Sequence, residues 1–241
     1  MKTVTATNVL ESGKADANTP IECKPTFSVG GRTFTNADGE TLGTFPLHQN
    51  FAQSCNTAFA QLADKLGPTG LHDTAAQLGI GVPWDLGIDA FTGKVSVNEN
   101  DIERTAAAFG QGTTLVSPLA MAGCAAAMAR GQWKQPHLLL DPAPAKPAAD
   151  GAALKPATVQ AMQAMMREAV TSGTAKQLKN QPGAPISGKT GTAEFDNTKE
   201  HTHSWFIGFR GDVAFAVFVQ NVGASTAAAV PIAGKFFGFL G

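Results

Sequence analysis

Residues 183–195, which read GAPISGKTGTAEF, constrain this chain more than any other stretch. Gly183, Gly188, Lys189 and Thr190 match G-x-x-x-x-G-K-[ST], the pattern of a phosphate-cradling P-loop. Such a loop follows a buried strand and opens a helix, because free N–H groups at the helix start hold the phosphates. Here residues 175–181 are polar and Pro182 ends them, so no buried strand leads in. Thr190-Gly191-Thr192 then favours an extended segment over a helix. The best apolar strand, residues 214–219, runs into Gln220 and Asn221 where a magnesium-binding aspartate would be needed. The stretch is therefore read as a strand that displays Lys189-Thr190-Gly191-Thr192, with a P-loop NTPase as a remote alternative.

The 241 residues can bury a sizeable core, and 43% hydrophobic with 15% charged residues describes a folded protein. A net charge of −1, with Lys and Arg scattered, gives no reason to expect nucleic acid. Cys23, Cys55 and Cys124 are too few and too far apart for a zinc module. Cys124 lies in an apolar helical run and is read as a buried small hydrophobe, while Cys23 and Cys55 could form one bridge outside the cytoplasm. No run of 18 apolar residues spans a membrane, and the start lacks the apolar core of a signal peptide. With no tyrosine in the chain, tyrosine base chemistry is excluded. His201 and His203 have no partner motif that would complete a metal set, and His48, His72 and His137 stand isolated, as surface or capping residues would.

In chain order, residues 1–11 read as a helix and residues 14–43 as a loop-rich excursion holding a small hairpin. Residues 45–66 turn helical, interrupted near Ser54-Cys55-Asn56; Gly67-Pro68 closes that pattern and a short helix, 69–78, follows. A loop over 81–100 precedes a helix capped by Asn100 or Asp101, where Glu99, Asp101 and Glu103 form a solvated acidic start. Ser117 caps a helix that begins at Pro118 and reaches Arg130. Residues 133–140 read as a strand, 141–151 as an exposed linker, and 155–170 as an amphipathic helix with a methionine-rich stripe. Strands 204–209 and 213–220 flank a turn, and a helix over 226–239 ends the chain. The expected class is α+β: an antiparallel sheet packed with helices, beside a mostly helical subdomain.

Taken singly, Ser54-x-Asn56 and Lys189-Thr190-Gly191 are short patterns. They stand in order with Gly110-Gln111-Gly112 and with His203-Ser204-Trp205-Phe206-Ile207-Gly208. With these, the chain resembles the transpeptidase domain of class B penicillin-binding proteins from its first residue to its last. Lys2-Thr3-Val4-Thr5-Ala6, followed by Leu10-Glu11-Ser12-Gly13, is similar to the text that continues that family's Ser-x-x-Lys motif. Lys2 would be the motif lysine, and the serine nucleophile would lie three positions earlier, before Met1.

The resemblance implies a role for each matched residue. Residues three apart on a helix share a face, so the amine of Lys2 could take the serine proton if burial and nearby positive charge lower its pKa. Ser54 would pass that proton to the leaving amine, and Asn56, two residues on in an extended turn, would face the same cleft and hold a substrate amide. Lys189 would keep Lys2 neutral and attract a carboxylate. The hydroxyls of Thr190 and Thr192 would bind that carboxylate, and Gly191 would let substrate lie alongside as an added strand. The reaction implied is D,D-transpeptidation of peptidoglycan stem peptides in cell wall synthesis, with β-lactams as inhibitors and neither cofactor nor metal. The full protein would be anchored on the outer face of the cell membrane with cell-wall synthesis partners.

On this reading residues 1–241 are one domain, incomplete at the N-terminus and inactive without the serine. Two preceding strands of the family's sheet would be absent, leaving three strands with an open edge along 213–220. A serine β-lactamase and a non-catalytic β-lactam sensor remain as alternatives; Cys55 and the lack of a Glu-x-x-x-Asn element speak against a class A β-lactamase.

Overall fold

The helix α1 (Lys2–Glu11) runs through the middle of the molecule, and Lys2 to Thr7 are all buried. A helix carrying Lys, Thr, Thr and Thr can be buried only if its hydroxyls find partners. The Thr5 hydroxyl donates to the Ala108 carbonyl at 2.7 Å and that of Thr7 to the Thr3 carbonyl at 2.8 Å. The structure, a computed structural model, describes residues 1–37, 41–97, 100–139, 141, 147–194, 201–222 and 228–240.

Beyond α1 come four short strands: β1 (Pro20–Cys23), β2 (Thr26–Val29), β3 (Arg32–Thr35) and β4 (Gly43–Pro46). β2 and β3 form the expected hairpin, whereas β1 pairs antiparallel with β4 across the excursion, a ladder the sequence reading did not include. Phe45, placed in a helix by its sequence, belongs to β4 and faces Ile21. Then follow α2 (Leu47–Ala52), α3 (Asn56–Gln61) and α4 (Ala63–Gln77), the last broken at Gly67-Pro68 as expected. The Asn50 amide, fully buried, donates to the carbonyls of Ile21 and Phe45 at 2.9 Å each and fastens α2 to both short strands.

α5 (Asp101–Phe109) is capped by Asn100, whose side chain accepts from the Ile102 N–H at 2.8 Å. Asp101 and Glu103 are ion-paired to Arg104 and Arg32, and Glu99 lies outside the described residues. α6 (Pro118–Arg130) is capped by Ser117, and buried Cys124 on it has its thiol pushed up to about 12 by burial. The expected strand at 133–140 does not form; Leu140 lies outside the described residues, and the others run irregular. Gln135 turns inward instead, accepting from the Asp85 N–H at 2.9 Å and donating to the Asp85 carbonyl at 2.7 Å. One side chain thus supplies the bonds that a ladder would have made. Of the expected linker, residues 142–146 lie outside the described residues and 147–151 are irregular.

α7 (Pro156–Thr171) buries Met162, Met165, Met166 and Val170, the expected stripe. His48 corrects the expectation of an isolated surface histidine: its Nδ1 stands 2.6 Å from Glu168 Oε2 and ties α2 to α7.

The C-terminal part is a three-stranded antiparallel meander, β5 (Ser187–Glu194), β6 (Thr202–Arg210) and β7 (Val213–Val219). Lys189 lies within β5, which runs on as strand to Glu194 where a P-loop would open a helix, so the P-loop alternative has no geometric basis. β7 pairs only with β6 among the described residues, which matches the expected three strands with an open edge. α8 (Ala229–Phe239) packs on β6 and β7 through Val230, Ala233 and Phe237; residues 226 and 227 of the expected helix lie outside the described residues. β5 and β6 approach so closely at Gly208 that a Cβ there would lie 2.1 Å from the Ser187 carbonyl oxygen. Gly208→Ala is therefore expected to cost about 3 kcal/mol, read as a lower urea midpoint; an unchanged midpoint would show that the ladder yields.

Candidate active site

Three elements bring the motif residues to one cleft of about 240 Å³: the first turn of α1, the α2–α3 turn and β5. Lys2, Ser54, Asn56, Thr190, Gly191 and Thr192 all line it. Lys189 does not. It borders an adjoining, more apolar cavity of about 300 Å³ shared with Lys2, Phe109, Trp205 and Ile207.

The α2–α3 turn is built from backbone bonds. The N–H groups of Ser54 and Cys55 donate to the carbonyls of Phe51 and Asn50 at 3.1 and 3.0 Å, which closes α2. Ser54 has φ 64°, the left-handed region that a helix-ending glycine usually takes. The turn is therefore left-handed at Ser54 and not extended, as its spacing had implied. A Cys23–Cys55 disulfide joins the residue between Ser54 and Asn56 to β1, so the bridge left open by the sequence is present. Asn36 adds a second tie, accepting from the Thr57 N–H at 3.0 Å while donating to the Lys24 carbonyl at 2.8 Å.

These ties fix Asn56. Its Oδ1 accepts from Lys2 Nζ at 2.7 Å and its Nδ2 donates to the Thr35 carbonyl at 3.1 Å, so the amide has one orientation. Neither Thr35 nor Asn36 carried a sequence signal, because both lie in a loop-rich excursion and act across 21 residues.

Lys2 is 9% exposed, and burial lowers its pKa to about 7. Burial is the cause of that shift, and the repulsion expected between the two amines shows on Lys189. Lys189 is held well below its ordinary value, first by its own burial and then by the charge of Lys2. Its ammonium lies over the Phe51 ring, 5.5 Å from the centroid, and donates to the Thr190 carbonyl at 3.1 Å. Two amines so placed, both shifted toward the neutral form, give the site a proton acceptor near neutral pH.

β5 has β6 on one side and, among the described residues, no strand on the other, so alternate backbone groups face the cleft. A side chain at Gly191 would meet Trp205 at 3.3 Å, toward the adjoining cavity. Thr174 also lines the cleft, its hydroxyl 2.5 Å from that of Thr190, and it was not singled out in the sequence. The arrangement presents a neutral amine, an amide, two threonine hydroxyls and an open strand edge: the parts needed to bind an extended peptide ending in a carboxylate and to move a proton beside it.

The family model for the penicillin binding protein transpeptidase domain matches residues 1–238. Peptidoglycan D,D-transpeptidase PbpA of Mycobacterium tuberculosis is 28% identical over 239 residues, covering 91% of this chain and 48% of the relative. Penicillin-binding protein 1A/1B of Bacillus subtilis is 26% identical over 230 residues, covering 87% and 23%. Among solved structures, penicillin-binding protein A from M. tuberculosis as its imipenem acyl-enzyme complex superposes with a TM-score of 0.83 at 26% identity, covering 99% of this chain and 58% of that one. The D,D-transpeptidase domain of a peptidoglycan glycosyltransferase from Eggerthella lenta gives 0.80 at 25% identity, covering 100% and 64%. The chain thus spans about half the length of the first of these relatives.

Proposed function

Because the chain belongs to the penicillin binding protein transpeptidase domain family, we propose that it carries most of the catalytic cleft of a D,D-transpeptidase that cross-links peptidoglycan stem peptides. The observation that carries this reading is Lys2: a buried amine near pKa 7, 2.7 Å from the Asn56 amide oxygen, in the cleft that Thr190 and Thr192 line.

The nucleophile is a serine three residues before Lys2, one turn back on the same helix face and outside the 241 residues. Neutral Lys2 takes its hydroxyl proton as the oxygen attacks the carbonyl carbon of the penultimate D-alanine. Ser54 relays the proton to the nitrogen of the terminal D-alanine, the C–N bond breaks, and D-alanine leaves. The amine of a second stem peptide then attacks the acyl-enzyme ester and returns the proton, which frees the serine. Asn56 orients the peptide amide, Thr190 and Thr192 hold the terminal carboxylate, and the Thr192 N–H stabilises the oxyanion together with the serine N–H. No step calls for a metal or cofactor. A β-lactam enters the same path and stops at the acyl-enzyme.

The disulfide favours an oxidising, extracytoplasmic setting. No helix among the described residues is long and apolar enough to cross a membrane. Residues 1–241 act as one domain that upstream strands complete along β7.

Labelling by a fluorescent penicillin tests this in two forms, the 241 residues alone and the longer natural protein. The shorter form is expected to lose on the order of 10⁶ in acylation, so only the longer one should label. Rapid release of the label would favour a β-lactamase. Failure of the folded longer protein to label would defeat the acyl-transfer reading and leave a non-catalytic β-lactam sensor.

A further inference from the structure

Thr174 lies in none of the motifs, yet it touches both walls of the cleft. α7 ends at Thr171, and Ser172-Gly173-Thr174 folds back onto the end of α2. The Thr174 N–H donates to the Ala52 carbonyl at 3.1 Å, and Gln53 Nε2 donates to the Ser172 carbonyl at 3.1 Å. A Cβ on Gly173 would lie 2.3 Å from the Ala52 oxygen, so only glycine lets the segment seat this deeply. Ala52 and Gln53 lead directly into Ser54. Thr174 is therefore set by the same backbone that sets the α2–α3 turn.

Its hydroxyl reaches the other way as well. Thr174 Oγ1 is 2.5 Å from Thr190 Oγ1 and 3.4 Å from the Ala52 carbonyl oxygen. Each hydroxyl has one proton to give. With the cleft empty, Thr190 can donate to Thr174 while Thr174 donates to Ala52, and then Thr190 has no proton left for a ligand. A carboxylate arriving at β5 needs the Thr190 proton. It becomes available when the Thr174 proton swings from Ala52 to Thr190, a rotation that moves no heavy atom.

We propose that Thr174 is a positioning residue that directs the Thr190 hydroxyl proton onto the terminal carboxylate of the substrate. The inference rests on the transpeptidase reading and names the feature of the ligand that is sensed: a free C-terminal carboxylate. The lysines bring amines to the site, whereas Thr174 supplies direction. A hydrogen-bond chain ending on an anion is polarised along its length, so loss of the inner donor weakens the outer bond.

The test uses the longer natural protein and measures acylation by an acyl-D-Ala-D-Ala peptide and by its C-terminal amide, each as kcat and KM. Thr174→Val should raise KM for the acid about ten-fold with kcat nearly unchanged, and should leave the amide within about two-fold. Thr174→Ser keeps the hydroxyl and should restore the acid to near wild type. Equal losses on acid and amide, or a loss that Thr174→Ser does not rescue, would reduce Thr174 to packing and overturn the proposal. So would an acid KM left unchanged by Thr174→Val. If the wild-type protein fails to acylate at all, the transpeptidase reading falls first and takes this inference with it.

Discussion

Lys2→Met is expected to remove acylation from a form of the protein that includes the proposed upstream serine and, in the same molecule, to make the fold more stable. The two effects have one cause. Burial that lowers Lys2 from 10.5 to about 7 costs on the order of 5 kcal/mol while the unfolded lysine remains charged. Methionine fills much of the same volume without that cost. Against it stands the bond from Lys2 Nζ to Asn56 Oδ1, but Asn56 is half-buried, so water can replace a loss of about 1–3 kcal/mol. The balance favours methionine. Chemistry goes the other way, because a positioned base is worth about 10²–10⁴-fold.

The pH dependence follows with its sign. Between about 7 and 10.5 the unfolded chain binds one more proton at Lys2 than the folded chain, so stability rises with pH across that window. Below about 7 both states are protonated there and the whole penalty is present. Lys189, lowered in the same direction, adds a slope of the same sign, so the Lys2→Met profile flattens without becoming level. Thermal unfolding at pH 6 and pH 9 reads this. Acylation by the wild-type protein should climb through about pH 7 as Lys2 loses its proton. A Lys2→Met protein that still acylates within ten-fold of wild type would remove Lys2 from the base role.

Opening the Cys23–Cys55 bridge comes next in size. Its two cysteines are 32 residues apart, and a loop of that length contributes about 3–4 kcal/mol by restricting the unfolded chain. A Cys23→Ala, Cys55→Ala protein should therefore melt about 10 °C lower. Function should suffer separately. Cys55 Sγ accepts from the Ala58 N–H at 3.4 Å at the start of α3, and its backbone stands between Ser54 and Asn56. Releasing it lets both functional side chains drift, and a misplacement of about 1 Å can cost about 10²-fold in rate. Differential scanning calorimetry with and without reductant, paired with acylation rates, separates the two effects. A melting point within 2 °C of wild type would mean that the bridge holds nothing the fold lacks without it.

The site was legible where chemistry sits in short, ordered motifs. Lys2, Ser54, Asn56, Thr190, Gly191 and Thr192 could be read because residue type and spacing survive without knowledge of tertiary contacts, and they do share one cleft. Helices α6 and α7 were equally plain, since a cap, a leading proline and an apolar stripe are local signals. What stayed hidden depends on partners far along the chain. β1 and β4 are four residues each, too short for a period, and their pairing joins Ile21 to Phe45. Residues 133–140 have strand-like composition, but Gln135 satisfies Asp85 through its side chain and no ladder forms. His48 and Glu168 meet across 120 residues. Thr174 carried one clue, Gly173 just beyond a helix end, which marks a close approach without saying to what.

Ser54 sets a limit of another kind. A left-handed backbone at a non-glycine residue costs about 1–3 kcal/mol, and here it falls on Ser54, whose hydroxyl is the proposed proton relay. Glycine at this position would ease the backbone and remove the oxygen. The best residue for durability and the best residue for turnover are therefore different amino acids at one site. A search for hardier variants scored only by resistance to heat would drift toward a sturdier protein with a silent cleft, and an evolving lineage can keep this serine only while its chemistry is being used.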